Sequence, residues 1–229
     1  MNTLITPIKK SRQHHQQIKE KIDSIEFEAH WFRRIFHTFA ASFLIYYILP
    51  DEPFINSLKI SLIIGIVVIV FLLEVLRLKE ILHSMSFFGL RRYEEKRPAS
   101  YLYFGIATLL LLLFFPQQIA IPCILCACFS DPIMGELRHH YGKKETYVIG
   151  FFISLFFFIV AWHTRELWLT LPISLIGASA AVLGETTKIW YLDDDFMIQM
   201  LPATILLIIW RITAVFDLNI LPAELLLPL

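Results

Sequence analysis

Residues 57–76, SLKISLIIGIVVIVFLLEVL, decide the class of fold, because an apolar run of this length crosses a membrane when it is helical. A second run at 147–162, YVIGFFISLFFFIVAW, contains no charged residue. The 229-residue chain is 57% hydrophobic, with a mean hydropathy of +0.63. A soluble core of this size does not need such runs. The sequence therefore predicts an all-α, polytopic membrane helix bundle.

The apolar runs divide the chain into about seven transmembrane spans and three regions. The spans are predicted at 35–49, 57–78, 101–115, 118–129, 147–163, 168–184 and 198–216. Residues 1–34 form a polar leader with an amphipathic helix expected on the membrane surface, and residues 35–216 form the transmembrane bundle. The tail 217–229 is apolar, interrupted by proline and too short to cross again, so we expect it at the interface.

Positive charge is distributed unevenly between the predicted loops. If the N-terminus is cytoplasmic, seventeen of the 20 lysines and arginines lie on the cytoplasmic side. Only Lys59, Arg165 and Arg211 lie towards the other side. The bias predicts a cytoplasmic N-terminus. It is the pattern of an integral multi-pass protein, of the plasma membrane in a prokaryote or of the ER or a plastid membrane in a eukaryote.

Charged residues at the ends of the spans gather on the same predicted face. They are Arg34 and His37, then Glu74 and Arg77, then the cluster from Asp131 to Lys144, and finally the acids from Glu185 to Asp195. Ionisable groups at a membrane boundary are costly unless they pair or meet water, which makes them candidates for function. A transporter is expected to carry polar groups at mid-membrane in both halves, so the pattern counts against transport.

Two groups of acids are candidate metal ligands. Asp131 directly follows an apolar run, and Asp194 and Asp195 belong to a triple acid ahead of the last span. Mg²⁺ binds a few carboxylates and completes its shell with water and phosphate oxygens, so these acids fit a magnesium–nucleotide site. The alternatives for the triple acid are a solvated loop and a helix N-terminus that negative charge stabilises.

Basic residues and glycines that follow Asp131 are candidate phosphate ligands. Arg138, Lys143 and Lys144 carry the charge to neutralise phosphate oxygens, and Gly135 and Gly142 allow backbone N–H groups to approach them. Bases at a membrane interface are also ordinary topology signals. The net charge of the chain is zero, which gives no indication of nucleic-acid binding.

For several other residues a structural role explains the sequence without any ligand. Glu74 and Arg77 are three residues apart on one helical face, as in an intrahelical ion pair. His37, one turn inside the first span, fits a hydrogen-bonded histidine in the bundle. The three cysteines lie in one apolar segment, so we expect free buried thiols.

Five segments, in order and spacing, resemble a known family. They are RRIFHTFA (33–40), FLLEVLRL (71–78), YLYFGIA (101–107), SDPIMGELRHHYGKK (130–144) and GETTKIWYLDDDFMIQML (184–201). Together they resemble the CTP-dependent lipid-alcohol kinases, which comprise dolichol kinase, phytol kinase and CTP-dependent diacylglycerol kinase and are related to the phosphatidate cytidylyltransferases. Asp131, Gly142 and Lys143 stand where that family has its Gly-Asp…Phe-Gly-Lys motif.

The resemblance implies transfer of the γ-phosphate of CTP to a lipid alcohol, with Mg²⁺ as cofactor. It implies Asp131, Asp194 and Asp195 as metal ligands, and His37 or Glu185 as the group that orients or deprotonates the alcohol. The residues that it implies for binding CTP are Arg34, Glu74, Arg77, Gly135, Arg138, Gly142, Lys143 and Lys144.

Departures from the family pattern keep other functions open. Ser130, Asp195 and Gln199 replace a glycine, an asparagine and a proline, and KKETYVIG stands in place of the family's Lys-x-Leu-Glu-Gly segment. ATP is the alternative phosphoryl donor. A cytidylyltransferase that makes a CDP-lipid is the alternative enzyme, and a non-catalytic relative that acts as a membrane interaction protein is the alternative outside enzymes.

Overall fold

A computed structural model describes residues 34–81, 94, 96–187 and 192–229, and at His139 it describes the backbone alone. These residues form helices and the turns between them, which confirms the all-α prediction. The leader and its predicted amphipathic helix lie outside the described residues, except for Arg34.

Eight α-helices follow one another in the part of the chain that the structure describes. They are α1 (34–40), α2 (Pro53–Leu78), α3 (Ser100–Phe114), α4 (Gln117–Leu125), α5 (Asp131–Tyr141), α6 (Lys143–Trp162), α7 (Leu167–Thr186) and α8 (Asp194–Val215). Helix α1 continues as a 3₁₀-helix over Ala41–Tyr47. A π-helical turn over Cys126–Ser130 joins α4 to α5.

Five helical segments in the described part are long and apolar enough to cross a membrane, which indicates a multi-pass membrane protein. They are Pro53–Leu78, Gln117–Arg138, Lys143–Trp162, Leu167–Thr186 and Asp194–Val215. Helix α3 is apolar but shorter. The count of seven spans and the cytoplasmic side of the N-terminus stay predictions.

One predicted boundary differs from the structure. The span predicted at 118–129 continues as helix to Tyr141, through the segment between predicted spans that we expected to be a loop. This polar segment is amphipathic, and its buried Met134 packs against the bundle. Helix α5 ends at Tyr141, and the φ of the following Gly142, +83°, is strained for any residue with a side chain. The glycine of the predicted phosphate motif thus turns the chain between α5 and α6.

Small residues bring the central helices together. Helix α8 packs against α3, α4 and α7, and α6 packs against α5 and α7. A Cβ on Gly184 would lie 2.4 Å from the carbonyl oxygen of Met197, so only glycine allows α7 to approach the α8 backbone here. A Cβ on Gly177 would lie 2.7 Å from the ring of Phe158. Close approach at small residues is how helices associate in lipid.

The bundle has two chemically different ends. We call one the charged end; there α2 and α7 finish and α1, α3, α5 and α8 begin. The other, the tail end, holds residues 217–229. Gln117 and Leu226 exchange two hydrogen bonds of 3.1 Å there. Arg165 donates to the carbonyl of Leu221. The tail therefore lies across the helix ends, with Ile220 buried.

The three cysteines are free and buried between the ends, as predicted.

Candidate functional site

Three buried side chains meet at the charged end. His37 of α1, Asp131 of α5 and Asp195 of α8 each offer one ligand atom, and these atoms all lie within 4.8 Å of one another. The residues are 3%, 9% and 1% exposed. Asp195 lies in the first turn of α8, where the helix dipole offsets part of the cost of burying negative charge. Asp131 follows the π-helical turn inside a continuing helix. Three elements distant in sequence thus converge on one point.

The imidazole of His37 lies between the two carboxylates. Its Nδ1 is 3.2 Å from the carbonyl oxygen of Ala127 and 3.9 Å from Asp131 Oδ2, and its Nε2 is 3.7 Å from Asp195 Oδ2. A carbonyl only accepts hydrogen bonds, so Nδ1 carries the hydrogen and Nε2 of the neutral ring presents a lone pair. A lone pair and a carboxylate that face each other out of water require a proton or a cation between them.

The π-helical turn sets the position of Asp131. An i→i+5 turn inserts one residue into the helix, and such turns are frequent at functional sites. Ser130, which closes this turn, donates a 3.1 Å hydrogen bond to the carbonyl of Gly150 on α6 and accepts one of 3.1 Å from Ser154. A Cβ on Gly150 would overlap the side chain of Met134, so α5 can pack this close to α6 only because residue 150 is glycine. The turn also presents the Ala127 carbonyl that orients His37.

A buried glutamine sets the position of Asp195. Gln199 is 0% exposed and lies one turn after Asp195 on α8. Its amide accepts a hydrogen bond of 3.0 Å from Thr108 on α3 and donates to the backbone carbonyls of Asp195 and Phe104. The same Phe104 places its ring edge-on to His37, with centroids 4.8 Å apart. Helix α3 therefore holds both the histidine and the start of α8.

An ion pair lies next to the three-residue group. Arg138 Nη2 donates to Glu185 Oε1 at 2.6 Å, and the carboxylate is 2% exposed. The guanidinium also lies over the ring of Tyr147, at 5.6 Å from its centroid. Glu185 interacts electrostatically with Asp131 and Asp194. Among the described residues the second oxygen, Oε2, makes no hydrogen bond.

The three acids at 193–195 lie in three different environments. Asp195 points to His37, whereas Asp194 is half-buried and Asp193 precedes the helix. Burial, followed by a hydrogen bond with Asp194, raises the pKa of the Asp193 carboxyl to about 9. Successive helical residues point about 100° apart, so a single member of the run can face Asp131. The sequence predicted Asp194 and Asp195 together as metal ligands, and the structure brings Asp195 to the group.

The predicted phosphate ligands follow one another across the α5–α6 turn. Arg138 is seven residues after Asp131, hence on the same face of α5 and about 10 Å further along. Lys143 and Lys144 are exposed in the first turn of α6, next to backbone N–H groups that attract anions. Gly135 has open space where a Cβ would stand, so packing does not require glycine there.

Two further predicted residues bind the protein's own backbone. Glu74 and Arg77 form an i,i+3 ion pair at 2.6 Å. Glu74 also accepts from the backbone N–H of Ala99 at 2.7 Å and from the hydroxyl of Tyr101, and Arg77 donates to the carbonyl of Arg97. The pair therefore clamps the end of α2 to the start of α3, and its predicted role in binding CTP stays a prediction.

Arg34, also predicted to bind CTP, contacts helix α5. It forms an ion pair with Glu136 of α5, so the first described residue of α1 and the helix of Asp131 are joined by charge. Arg34 and His37 are three residues apart, on one face of α1. This pairing helps to hold His37 against α5.

Sequence reasoning missed the residues that support the site. The π-helical turn, the Ser130 contacts and the Gln199 contacts are not visible in a hydropathy pattern. A signal was present at Gln199 and Thr108, because polar side chains inside apolar runs require partners within the bundle. The partners themselves follow from helix packing.

The arrangement fits a divalent cation. Ligands about 2.1 Å from one Mg²⁺ lie at most about 4.2 Å apart. The ligand oxygens of Asp131 and Asp195 lie within 4.8 Å of each other, so their binding to one Mg²⁺ requires a shift of less than about 1 Å. His37 Nε2 lies beside this point, 3.7 Å from Asp195 Oδ2. It is the one group of three such donors among the described residues.

Comparison with known proteins gives no match: no family model, no curated protein and no solved structure is similar to this chain.

Proposed function

We propose that this chain is a membrane-embedded kinase that transfers the γ-phosphate of CTP to the hydroxyl of a lipid alcohol. The observation that carries the proposal is the buried group of His37, Asp131 and Asp195 at the charged end of an apolar bundle. Two buried carboxylates beside a histidine are costly unless a cation or proton neutralises them. A metal site at the polar end of a hydrophobic bundle suits a reaction between a polar nucleotide and a lipid.

In this proposal Asp131 and Asp195 hold Mg²⁺, with Asp194 beside them. Mg²⁺, when bound, neutralises charge on the β- and γ-phosphate oxygens. Arg138, Lys143 and Lys144 bind the same phosphates from the α5–α6 turn. Glu185 positions Arg138 through their 2.6 Å contact. Phosphoryl transfer needs little covalent chemistry from the protein, so positioning and charge neutralisation supply most of the acceleration.

His37 is the acceptor of the hydroxyl proton in this proposal. Its Nδ1–H is held by the carbonyl of Ala127, which leaves Nε2 as the basic atom. As the proton moves to Nε2, the alcohol oxygen bonds to the γ-phosphorus. The bond from that phosphorus to the β–γ bridging oxygen breaks, and CDP leaves with the bonding electrons. His37 then returns the proton to solvent.

The positive charge bias of the loops supports a cytoplasmic charged end, where a nucleotide is available. The proposal therefore describes an integral membrane enzyme that receives CTP from one side of the bilayer and the alcohol from within it.

The experiment is a transfer assay on full-length protein purified in detergent. It supplies Mg²⁺, γ-labelled CTP or ATP and a panel of polyprenol, phytol and diacylglycerol. Asp131→Asn is the test variant. Asp217→Asn is the matched control, because Asp217 is exposed at the tail end and asparagine tolerates its φ of 58°.

We expect labelled lipid phosphate from the wild type and Asp217→Asn, and a loss of about 10²–10³-fold in Asp131→Asn. Release of pyrophosphate and formation of a CDP-lipid instead identifies a cytidylyltransferase. Folded wild-type protein that forms no product with either donor contradicts the proposal and favours a non-catalytic membrane interaction protein.

A further inference from the structure

The group of His37, Asp131 and Asp195 offers a nitrogen donor as well as two carboxylates. One donor atom of each residue lies within 4.8 Å of the donor atoms of the other two. In the proposed function Mg²⁺ uses the carboxylates alone, because Mg²⁺ prefers oxygen ligands. Imidazole is instead a ligand of Zn²⁺ and of the neighbouring first-row ions. The choice of ion at this point therefore depends on whether His37 is able to act as a ligand.

The contacts of His37 orient it as metal-binding histidines are oriented. Its Nδ1 lies 3.2 Å from the carbonyl oxygen of Ala127 in the π-helical turn, so Nδ1 carries the hydrogen and Nε2 carries the lone pair. Nε2 lies 3.7 Å from Asp195 Oδ2. Metal-binding histidines almost always donate their second ring N–H to a carbonyl or carboxylate, which fixes the tautomer and the ring.

Aromatic packing keeps the imidazole in this orientation. The ring of Phe104 stands edge-on to it with centroids 4.8 Å apart, and that of Phe36 with centroids 6.3 Å apart. The histidine itself is buried. A donor whose rotamer is held by packing needs little further ordering when an ion binds. An ion bound beside these rings also gives up part of its water shell, and Mg²⁺ does so reluctantly.

We infer that this group is selective for Zn²⁺ over Mg²⁺, with His37 Nε2 as the third protein ligand. Zn²⁺ binds imidazole and carboxylate, and it accepts three protein ligands with a fourth position open to water or substrate. Ligands about 2.1 Å from a four-coordinate ion lie about 3.4 Å apart, so closing a separation of at most 4.8 Å requires two side chains to move by about 0.7 Å each. The ion also cancels the charge of the two carboxylates.

Inhibition of phosphoryl transfer is the functional consequence, and this part rests on the proposed function. The lone pair of His37 Nε2 that accepts the hydroxyl proton is the same pair that binds Zn²⁺. An ion held there leaves no base for the alcohol, whereas Mg²⁺ on the two carboxylates leaves Nε2 available. Zn²⁺ should therefore lower the transfer rate even when Mg²⁺ is saturating, and a chelator should restore the rate.

The test is titration with Co²⁺ of full-length protein purified in detergent without a histidine tag. The visible absorption of Co²⁺ is intense in four-coordinate sites and weak in six-coordinate sites, and Zn²⁺ and Mg²⁺ then compete for the bound ion. The variant is His37→Asn, because the asparagine amide can still donate to the Ala127 carbonyl but has no counterpart of Nε2. His163→Asn is the matched control, since the exposed His163 also places Nδ1 beside a carbonyl oxygen, that of Val160 at 2.7 Å.

We expect one equivalent of four-coordinate Co²⁺ in the wild type and in His163→Asn. An equimolar amount of Zn²⁺ should displace it, and an excess of about 100-fold of Mg²⁺ should not. His37→Asn and Asp195→Asn should each bind Co²⁺ at least about 10-fold more weakly. Melting temperatures show whether each variant is folded.

Failure of this inference and failure of the proposed function give different results. Transfer by protein that binds only six-coordinate Co²⁺, or that releases Co²⁺ to Mg²⁺ as readily as to Zn²⁺, overturns the inference and leaves the kinase. Equal Co²⁺ affinity in the wild type and His37→Asn also overturns it. Four-coordinate Co²⁺ that is lost in His37→Asn, without transfer by any donor, supports the inference and contradicts the kinase. The wild-type competition decides the selectivity even if the variants do not fold.

Discussion

The two ends of this bundle treat buried polar groups in opposite ways. At the tail end, Arg165 and Gln117 bond to backbone carbonyl and N–H groups of the tail, and Lys59 pairs with Asp51 at 2.6 Å. At the charged end, Asp131 and Asp195 are brought towards each other around His37. The first arrangement stabilises a fold. The second gathers like charges, which costs free energy unless a cation or proton joins them, and so marks a site.

The Glu74–Arg77 clamp refines this comparison, because it also lies at the charged end. Its carboxylate and guanidinium are satisfied by each other and by the neighbouring backbone. Location at the charged end is therefore not sufficient for function. The distinguishing property is two acids from different helices that converge on one histidine.

The largest expected effect separates two neighbouring acids. Asp195→Asn should reduce the transfer rate about 10²–10³-fold, because Asp195 faces His37. Asp194→Asn should reduce it less than about 10-fold, since that carboxylate lies outside the three-residue group. Transfer assays on the two purified variants, matched for folding by melting temperature, measure the difference. Equal losses would contradict the assignment of Asp195.

The second effect concerns the ion pair beside the site. Arg138→Met leaves the Glu185 carboxylate buried without its partner, which should lower the free energy of unfolding by about 2–3 kcal/mol. The cost is below that of a fully buried pair because 33% of the Arg138 side chain is exposed.

The double variant Arg138→Met/Glu185→Gln should recover much of that stability, yet remain slow in transfer. Thermal unfolding in detergent and the transfer assay separate the two properties. Recovery of activity together with stability would show that Arg138 has no part in binding phosphate.

The third effect concerns the helix contact that carries Glu185 to the site. Gly184→Ala should cost about 1–3 kcal/mol of stability, since the added Cβ would meet the Met197 backbone at 2.4 Å. Gly65→Ala is the control and should be neutral or slightly stabilising, because a Cβ there meets nothing within 4 Å. Melting temperatures of the two variants decide the question, and equal values would contradict the close α7–α8 approach.

The smallest effect lies at the tail end. Gln117→Ala removes two hydrogen bonds to Leu226 and should cost about 1–2 kcal/mol locally. Transfer activity should be unchanged, because these contacts only attach the tail. Hydrogen exchange at the Leu226 amide should accelerate about 10-fold. An activity loss comparable with that of Asp195→Asn would remove the functional difference between the ends.

The sequence by itself determined the class of fold and which residue types gather at one end. Apolar runs require helices in a bilayer, since backbone groups in hydrocarbon can bond only within the segment. The positions of Asp131 and His37 at the ends of such runs placed both among the candidates before any contact was known. The helical continuation through Asp131–Tyr141 was not predicted. That segment is polar, and hydropathy alone indicates a loop there.

The spacing of Glu74 and Arg77 predicted their ion pair, which the structure has. Only the tertiary structure decided which acid of the triple run meets His37, what Glu185 contacts, and that Glu74 also binds the start of α3. Those facts depend on the rotation of α8 about its axis, on a π-helical turn and on glycines that admit neighbouring helices. A one-residue change in any of them turns a side chain by about 100°. The hydropathy pattern of the chain is the same before and after such a rotation, so that pattern does not predict which way a side chain points.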